Sequence, residues 1–266
     1  MSRILFRIDV VEIRSYGLMI TLAFVVWMFL SMSRAKKRGI RPDHIVHLSL
    51  IIFLSAAIGA RLLFIATHAD NLRRFWHELL RTFTLIAVGV KGISMVGGVL
   101  LALISIVLYC YFHKIPLLRL FDAMAPPFGV GLFLSRIGCF LNGCCFGKPC
   151  DLPWCMKFPT DSPAGMRFPD IAIHPTQLYA ALAGLLIALI LFLLDRKPRF
   201  DGFLFSLLGI LFGIDRLLID PFKYVSLQEG GTPLSVNQIL SLSIIGLTTA
   251  LYIGLKRRDL RKNGKQ

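Results

Sequence analysis

The sequence predicts an all-α integral membrane protein with seven transmembrane helices and an ordered loop region on one side of the membrane. Two observations predict it. The 266 residues are 56% hydrophobic and 17% charged, whereas a soluble domain carries about 25% charged residues. The apolar residues also gather into long runs, and most of the basic residues fall between them. A mean hydropathy of +0.70 excludes a disordered chain, and the length and composition exclude a small secreted disulfide scaffold.

The runs are Gly17–Ser33, Ile45–Thr67, Ser94–His113, Leu120–Asn142, Leu178–Leu194, Phe203–Phe222 and Ser235–Leu255. Each is near the roughly 20 residues that a membrane-crossing helix needs. Each must be helical, because lipid offers backbone N–H and C=O groups no water. A shorter run, Leu80–Val90, suits a re-entrant or interfacial segment. Met1–Ser15 mixes Asp9 and Glu12 with arginines, a poor match to a secretory leader. The stretch 143–173 carries Pro149, Pro153, Pro159, Pro163 and Pro169 and reads as an ordered loop. No repeat of 20–50 residues is visible, so the expectation is one transmembrane domain over residues 1–266.

The chain has 30 Lys and Arg against 15 Asp and Glu. On a soluble protein that excess would suggest nucleic acid. Here it divides between the loops instead, and no nucleic-acid partner is expected. Arg34–Arg41, Lys114 and Arg119, Arg196–Arg199 and the tail Lys256–Lys265 hold 16 basic residues. The opposite set holds 11, from Arg3, Arg7 and Arg14 through Arg73, Arg74, Arg81 and Lys91 to Lys148, Lys157, Arg167 and Lys223. The positive-inside rule then places the C-terminus in the cytoplasm and the N-terminus outside.

Charges inside the runs are candidates for function, since each costs about 2.5–3.5 kcal/mol on insertion scales. Arg61 ends Ile58-Gly59-Ala60-Arg61; it either snorkels to outer headgroups or serves a ligand. Asp215-Arg216 interrupts the sixth run. Asp220 lies one helical turn after Arg216, so the two either neutralise each other or share a site. Arg136 has no acidic residue within four positions and requires an anion from another helix or from a ligand. A phospholipid phosphate answers that need, because the planar guanidinium stays charged and bonds oxygens bidentately. Glycines cluster nearby. Gly97, Gly98, Gly129, Gly131 and Gly138 fit close helix packing. Gly143 and Gly147, past the apolar run, fit a loop whose backbone approaches a ligand.

The run Ser135-Arg136-Ile137-Gly138-Cys139-Phe140-Leu141-Asn142-Gly143-Cys144-Cys145-Phe146-Gly147-Lys148-Pro149 resembles the signature of the prolipoprotein diacylglyceryl transferase family of bacterial inner membranes. Four further segments resemble family motifs in the expected order: Tyr16-Gly17-Leu18-Met19, Gly59-Ala60-Arg61, His174-Pro175-Thr176-Gln177-Leu178-Tyr179 and Asp215-Arg216-Leu217-Leu218-Ile219-Asp220. The resemblance runs from about Tyr16 to Leu255. It implies a seven-span enzyme of the bacterial inner membrane, with a periplasmic N-terminus and loop and a cytoplasmic C-terminus. Its partners would be phosphatidylglycerol, other membrane lipid and prolipoprotein signal peptides, and no cofactor is implied. The reaction moves a diacylglyceryl group from phosphatidylglycerol to a lipobox cysteine thiol and releases glycerol phosphate. Arg136, Arg216, Tyr16 and His174 would be catalytic. Arg61, Asn142, Gly143, Gly147, Gly97, Gly98 and Asp220 would bind substrate, with Asp220 standing where the family usually has Glu.

Three polar family positions are changed. Val96 replaces the usual third-span His, Cys139 an Asn and Cys144 a Glu. Valine transfers no proton, so His174 becomes the replacement base, or else it is a structural residue beside Pro175. A branch using another group and a relative with altered or lost catalysis both follow from these changes. A channel or transporter would show inverted repeats and several polar spans, which are not found. Five of the six cysteines fall in 139–155. They read as one or two disulfides on the oxidising side. The alternatives are a zinc site, which lacks a C-x-x-C pair or nearby His, and transient lipid carriage by Cys144 or Cys145. No metal is expected on this reading.

Overall fold

The computed structural model describes residues 4–8, 11–68, 95–197, 199–224 and 236–263. The re-entrant segment expected at Leu80–Val90 lies outside these residues. So do Arg3, Arg73, Arg74, Arg81, Lys91 and Lys265 from the charge count, and Ser94 and Ser235 at the starts of two runs.

A two-stranded antiparallel hairpin, β1 (Ile4–Ile8) and β2 (Val11–Arg14), precedes the helices. It is a small addition to the all-α expectation. The helices are α1 (Ser15–Lys37), α2 (Pro42–His68), α3 (Met95–Phe112), α4 (Leu117–Asn142), α5 (Pro163–Arg167), α6 (Thr176–Leu194), α7 (Phe203–Ile219) and α8 (Val236–Asn263). Each of the seven long apolar runs therefore contains a helix within the described residues. Among the described residues, α1, α2, α4, α6 and α8 are long and apolar enough to cross a membrane. The apolar part of α3, Val96–Phe112, is shorter. The run 203–222 divides into α7 and a 3-10 turn, Asp220–Phe222, because Pro221 cannot continue the α-helical hydrogen bonding. Large apolar residues face outward on α3 (Leu100, Leu103, Ile104), α6 (Leu185, Leu186, Leu189) and α8 (Leu240, Leu242, Leu247). That is the surface of a helix built for lipid contact rather than water.

The chain forms two compact units, Ala35–Leu117 on the one hand and Met1–Arg34 with Leu118–Gln266 on the other. In the smaller unit α2 and α3 pack backbone to backbone. A Cβ on Gly59 would strike the Gly97 carbonyl, and a Cβ on Gly97 would strike that of Gly59. Small residues make such an approach possible where lipid supplies no hydrophobic drive.

In the larger unit, Asp122 is 1% exposed on α4. Its Oδ2 accepts the Gly202 N–H at 2.7 Å and its Oδ1 the Phe205 N–H at 2.8 Å. These are orphan donors at the α7 N-terminus, where negative charge also suits the helix dipole. A core of Ala125, Ile187, Leu191, Phe203 and Leu204 lies beside this anchor. Arg34 and Asp195 form a largely buried ion pair, with the guanidinium 4.9 Å from the Phe192 ring. Arg136 follows Asp122 by fourteen residues, and Arg216 follows Gly202 by the same number. At 1.5 Å per residue both lie about 21 Å up their helices from the shared anchor. Equal rise from one fixed point brings the two arginines to one level.

Removing the anchoring carboxylate leaves two buried N–H groups without acceptors, at about 1–3 kcal/mol each. Asp122→Ala should therefore cost about 3 kcal/mol and visibly lower the thermal midpoint of the detergent-solubilised protein. An unchanged midpoint would show that Asp122 does not hold α7.

Candidate functional site

The site assembles where α4 ends. Gly143 has φ +69° and is buried against Ser162. Any side chain there would be strained by the left-handed backbone, and its Cβ would lie 2.7 Å from the Ser162 Cβ. Two residues on, Cys145 adopts φ +56°, which costs a non-glycine residue about 1–3 kcal/mol. The surroundings hold it there. Thr176 Oγ1 donates to the Cys145 carbonyl at 2.9 Å, and Gln177 Nε2 to the Cys144 carbonyl at 2.8 Å. Thus the first turn of α6 clamps the reversal. The result folds Cys144 and Cys145 back over Cys139, and the Cys144 thiol lies 3.7 Å from the Cys139 carbonyl.

Beyond the reversal, Gly147 N–H donates to the His174 carbonyl at 3.1 Å, and His174 N–H to the Lys148 carbonyl at 3.0 Å. Gly147 also pairs with Lys223 across a short bridge. Its close neighbours are the His174 Cβ and carbonyl and the Phe222 carbonyl, so the tight approach read from the sequence serves chain against chain. Cys150 and Cys155 form a disulfide. Phe158, Ala164 and Ile173 make a small separate core under Phe140, Phe146 and Phe168. The Ser162 hydroxyl caps α5 by accepting the Gly165 N–H at 3.0 Å.

Arg136 lies two turns before the end of α4. Its Nε is buried and has no hydrogen-bond partner among the described residues. Arg216, on α7, is close enough for the two charges to repel. The guanidinium of Arg216 sits 4.8 Å from the centre of the Phe212 ring, a cation–π contact that partly replaces lost water. Asp215, Cys145 and Asp220 are its other electrostatic neighbours. Tyr16, at the start of α1, is 39% exposed and within electrostatic range of Arg136 and of Cys139, Cys144 and Cys145. Asn142 hydrogen-bonds toward Cys144. The structure thus brings Tyr16, Arg136, Asn142, Gly143, Arg216 and Asp220 into one neighbourhood. His174 is next to it but committed to structure: its Nδ1 lies 3.2 Å from the Tyr179 hydroxyl, and its ring packs on Phe222. Arg61, Gly97 and Gly98 lie in the other unit. There Arg61 is 8% exposed with its guanidinium 5.8 Å from the Phe64 ring.

The sequence marks Asp215 as a charge inside the sixth run and gives it no specific part in the site. It is 5% exposed, and neither carboxylate oxygen finds a hydrogen bond among the described residues. Arg216 and Arg136 are its neighbouring charges. An acid beside an arginine inside an apolar run was the available signal. The convergence of three cysteines was also missed, because it depends on the two left-handed residues that reverse the chain.

The Cys145 thiol is held well below the ordinary thiol range. The Cys139 and Cys144 S–H groups donate to its sulfur, and Arg136 and Lys223 add positive charge. A depressed pKa keeps the thiolate populated as pH falls. Alkylation of Cys145 in metal-free protein, followed by peptide mass spectrometry, should therefore stay fast from pH 8 down into the acid range. A rate that instead climbs through the alkaline range of a normal thiol would contradict this electrostatic reading.

Residues 3–254 match the family model described as prolipoprotein diacylglyceryl transferase. The chain is similar to the phosphatidylglycerol–prolipoprotein diacylglyceryl transferase of Clostridium tetani (32% identity, covering 92% of this chain and 94% of that protein). It is similar to those of Aliivibrio salmonicida (34%, covering 98% and 92%) and Geobacter sulfurreducens (31%, covering 96% of each). With its match running nearly end to end, this chain belongs to the prolipoprotein diacylglyceryl transferase family.

Proposed function

We propose that this protein transfers the diacylglyceryl group of phosphatidylglycerol to the lipobox cysteine of a prolipoprotein signal peptide, working as one seven-span domain in the bacterial inner membrane. The observation that carries the reading is Arg136: a half-buried side chain whose Nε is buried and lacks a hydrogen-bond partner among the described residues, beside a second arginine, in the segment that resembles the family signature. The basic loops favour a cytoplasmic C-terminus and a periplasmic N-terminus and 143–173 segment.

The chemistry follows from charge. The acceptor thiolate attacks the glycerol methylene carbon. A C–S bond forms, the C–O bond to phosphorus breaks, and glycerol phosphate leaves with the electron pair. Negative charge grows on the departing phosphate oxygens. Arg136 and Arg216 meet it with preorganised donors in a poorly hydrated site, where such contacts are strongest. Tyr16 and Asn142 supply further donors, while Asp220 orients Arg216 and Asp215 limits the repulsion between the two cations. Arg61, Gly97 and Gly98, in the smaller unit, are assigned to substrate binding in this reading, and His174, two residues before α6, is the candidate base.

A second reading, a lipid-binding relative without transferase activity, is favoured by Val96. This residue is 59% exposed and stands where the family usually has His. Purified protein that binds phosphatidylglycerol and releases no glycerol phosphate would support it.

Complementation separates the two. Expressed in cells depleted of their own transferase, this chain should restore growth and thioether-lipidated product; no rescue and no product would refute the transferase reading. Arg136→Ala should lower turnover on the order of 100- to 1000-fold, as loss of a charge-stabilising donor does. Arg136→Lys should not restore it, since a point charge does not reproduce the bidentate fork. Wild-type turnover in either variant would remove Arg136 from the site. Val96→His should accelerate turnover if the missing base position is still coupled to the reacting thiol, and an unchanged rate would show that it is not.

A further inference from the structure

We propose that Cys139, Cys144 and Cys145 form a three-thiolate site for a soft divalent cation such as zinc, with the acceptor cysteine thiol as its fourth ligand. This rests on the transferase reading for the fourth ligand alone.

Geometry carries the site. The three Sγ atoms all lie within 4.8 Å of one another. Zinc–sulfur bonds of about 2.3 Å in a tetrahedron need sulfurs about 3.8 Å apart, so closing the site takes side-chain movements of about 1 Å or less. The backbone is already folded for it. Left-handed residues at Gly143 and Cys145 reverse the chain, and Thr176 and Gln177 fix the Cys144 and Cys145 carbonyls. Gln177 is 1% exposed, so this clamp on the Cys144 carbonyl is itself buried.

Cysteine arithmetic points the same way. Cys150 and Cys155 are paired with each other, and Cys110 is buried in α3 of the other unit. Three thiols remain together, an odd number that disulfides cannot consume. Three thiolates with one divalent cation carry a net charge of −1, and Arg136 and Lys223 stand beside them as counter-charges. Cys145 is the exposed member, so the side left for a fourth ligand opens outward. Coordination deprotonates a thiol outright. The acceptor S–H would lose its proton to solvent on binding, and its thiolate would then attack the glycerol carbon as glycerol phosphate leaves. No histidine at position 96 is required for that step.

The test begins with full-length protein stripped of metal in lipid nanodiscs. Cadmium should bind with one equivalent per chain and give a thiolate-to-metal charge-transfer band in the ultraviolet. Each of Cys139→Ser, Cys144→Ser and Cys145→Ser should weaken binding on the order of 100-fold, and Cys110→Ala should leave it unchanged. As a readout independent of variant folding, zinc should protect the three thiols of the wild-type protein from maleimide, while magnesium should not. No band, no protection, or recovery of two of the three as a disulfide in freshly purified protein would overturn the site. Removing metal should abolish transfer and zinc should restore it; transfer undiminished without metal would overturn the role in thiol activation. Intact metal binding with no transfer by the zinc-loaded protein would count against the transferase reading and leave the cluster standing.

Discussion

Positive charge held where water is scarce is the constraint around which the larger unit is organised. Arg136 and Arg216 are near enough to repel. The carboxylate embedded with them, Asp215, has no hydrogen bond to either among the described residues. A guanidinium can be tolerated at membrane depth when carbonyls, carboxylates or aromatic faces replace its hydration. Here the replacement is incomplete: a Phe212 ring for Arg216, and a bare Nε for Arg136. An anion with several oxygens suits such a pair, and on the proposed function that anion is the head of an anionic phospholipid, whose binding would relieve the repulsion between the two cations.

Holding two like charges at one depth requires stiff supports, and the Asp122 anchor supplies them. Its two hydrogen bonds fix the start of α7 against α4. From there both helices rise by the same number of residues to their arginines. A helix is rigid over about 21 Å, so the level match persists without a direct bond between the arginines. The same anchor places Asp220 and the 3-10 turn near the Gly147–Lys223 bridge. The loop that carries the cysteines is thereby tied to the helix that carries Arg216.

Helices and buried cations were legible in the sequence because both are governed by local transfer free energy. Each of the seven long apolar runs contains a helix among the described residues, and Arg136 is marked by the lack of any acid within one turn. What was not legible depends on the path of the chain between elements. Asp122 carries no signal in the sequence, since its partners are about eighty residues away. The hairpin at Ile4–Ile8 and Val11–Arg14 was hidden by mixed charge and a short turn. Gly143 was read as a ligand-facing glycine, and its nearest neighbour is Ser162. The Cys150–Cys155 pair and the cluster at Cys139, Cys144 and Cys145 look alike in one dimension and separate only once residues 143 and 145 take left-handed backbone.

The absent histidine at position 96 weakens the case for catalysis less than it first does in the sequence. Thioether formation needs two electrostatic services, a thiolate to attack and a cationic seat for the phosphate that leaves. Both are served by positive potential, because the field that attracts phosphate oxygens also lowers the pKa of a thiol brought into it. The pKa of Cys145 is held low chiefly by hydrogen bonds from Cys139 and Cys144, with a smaller contribution from Arg136 and Lys223. On the proposed mechanism an acceptor thiol would meet the same two cations, which lowers the demand on any single base. On that mechanism, cysteines in place of polar motif residues would change the means of thiol activation and leave in place the arginines assigned to the departing phosphate.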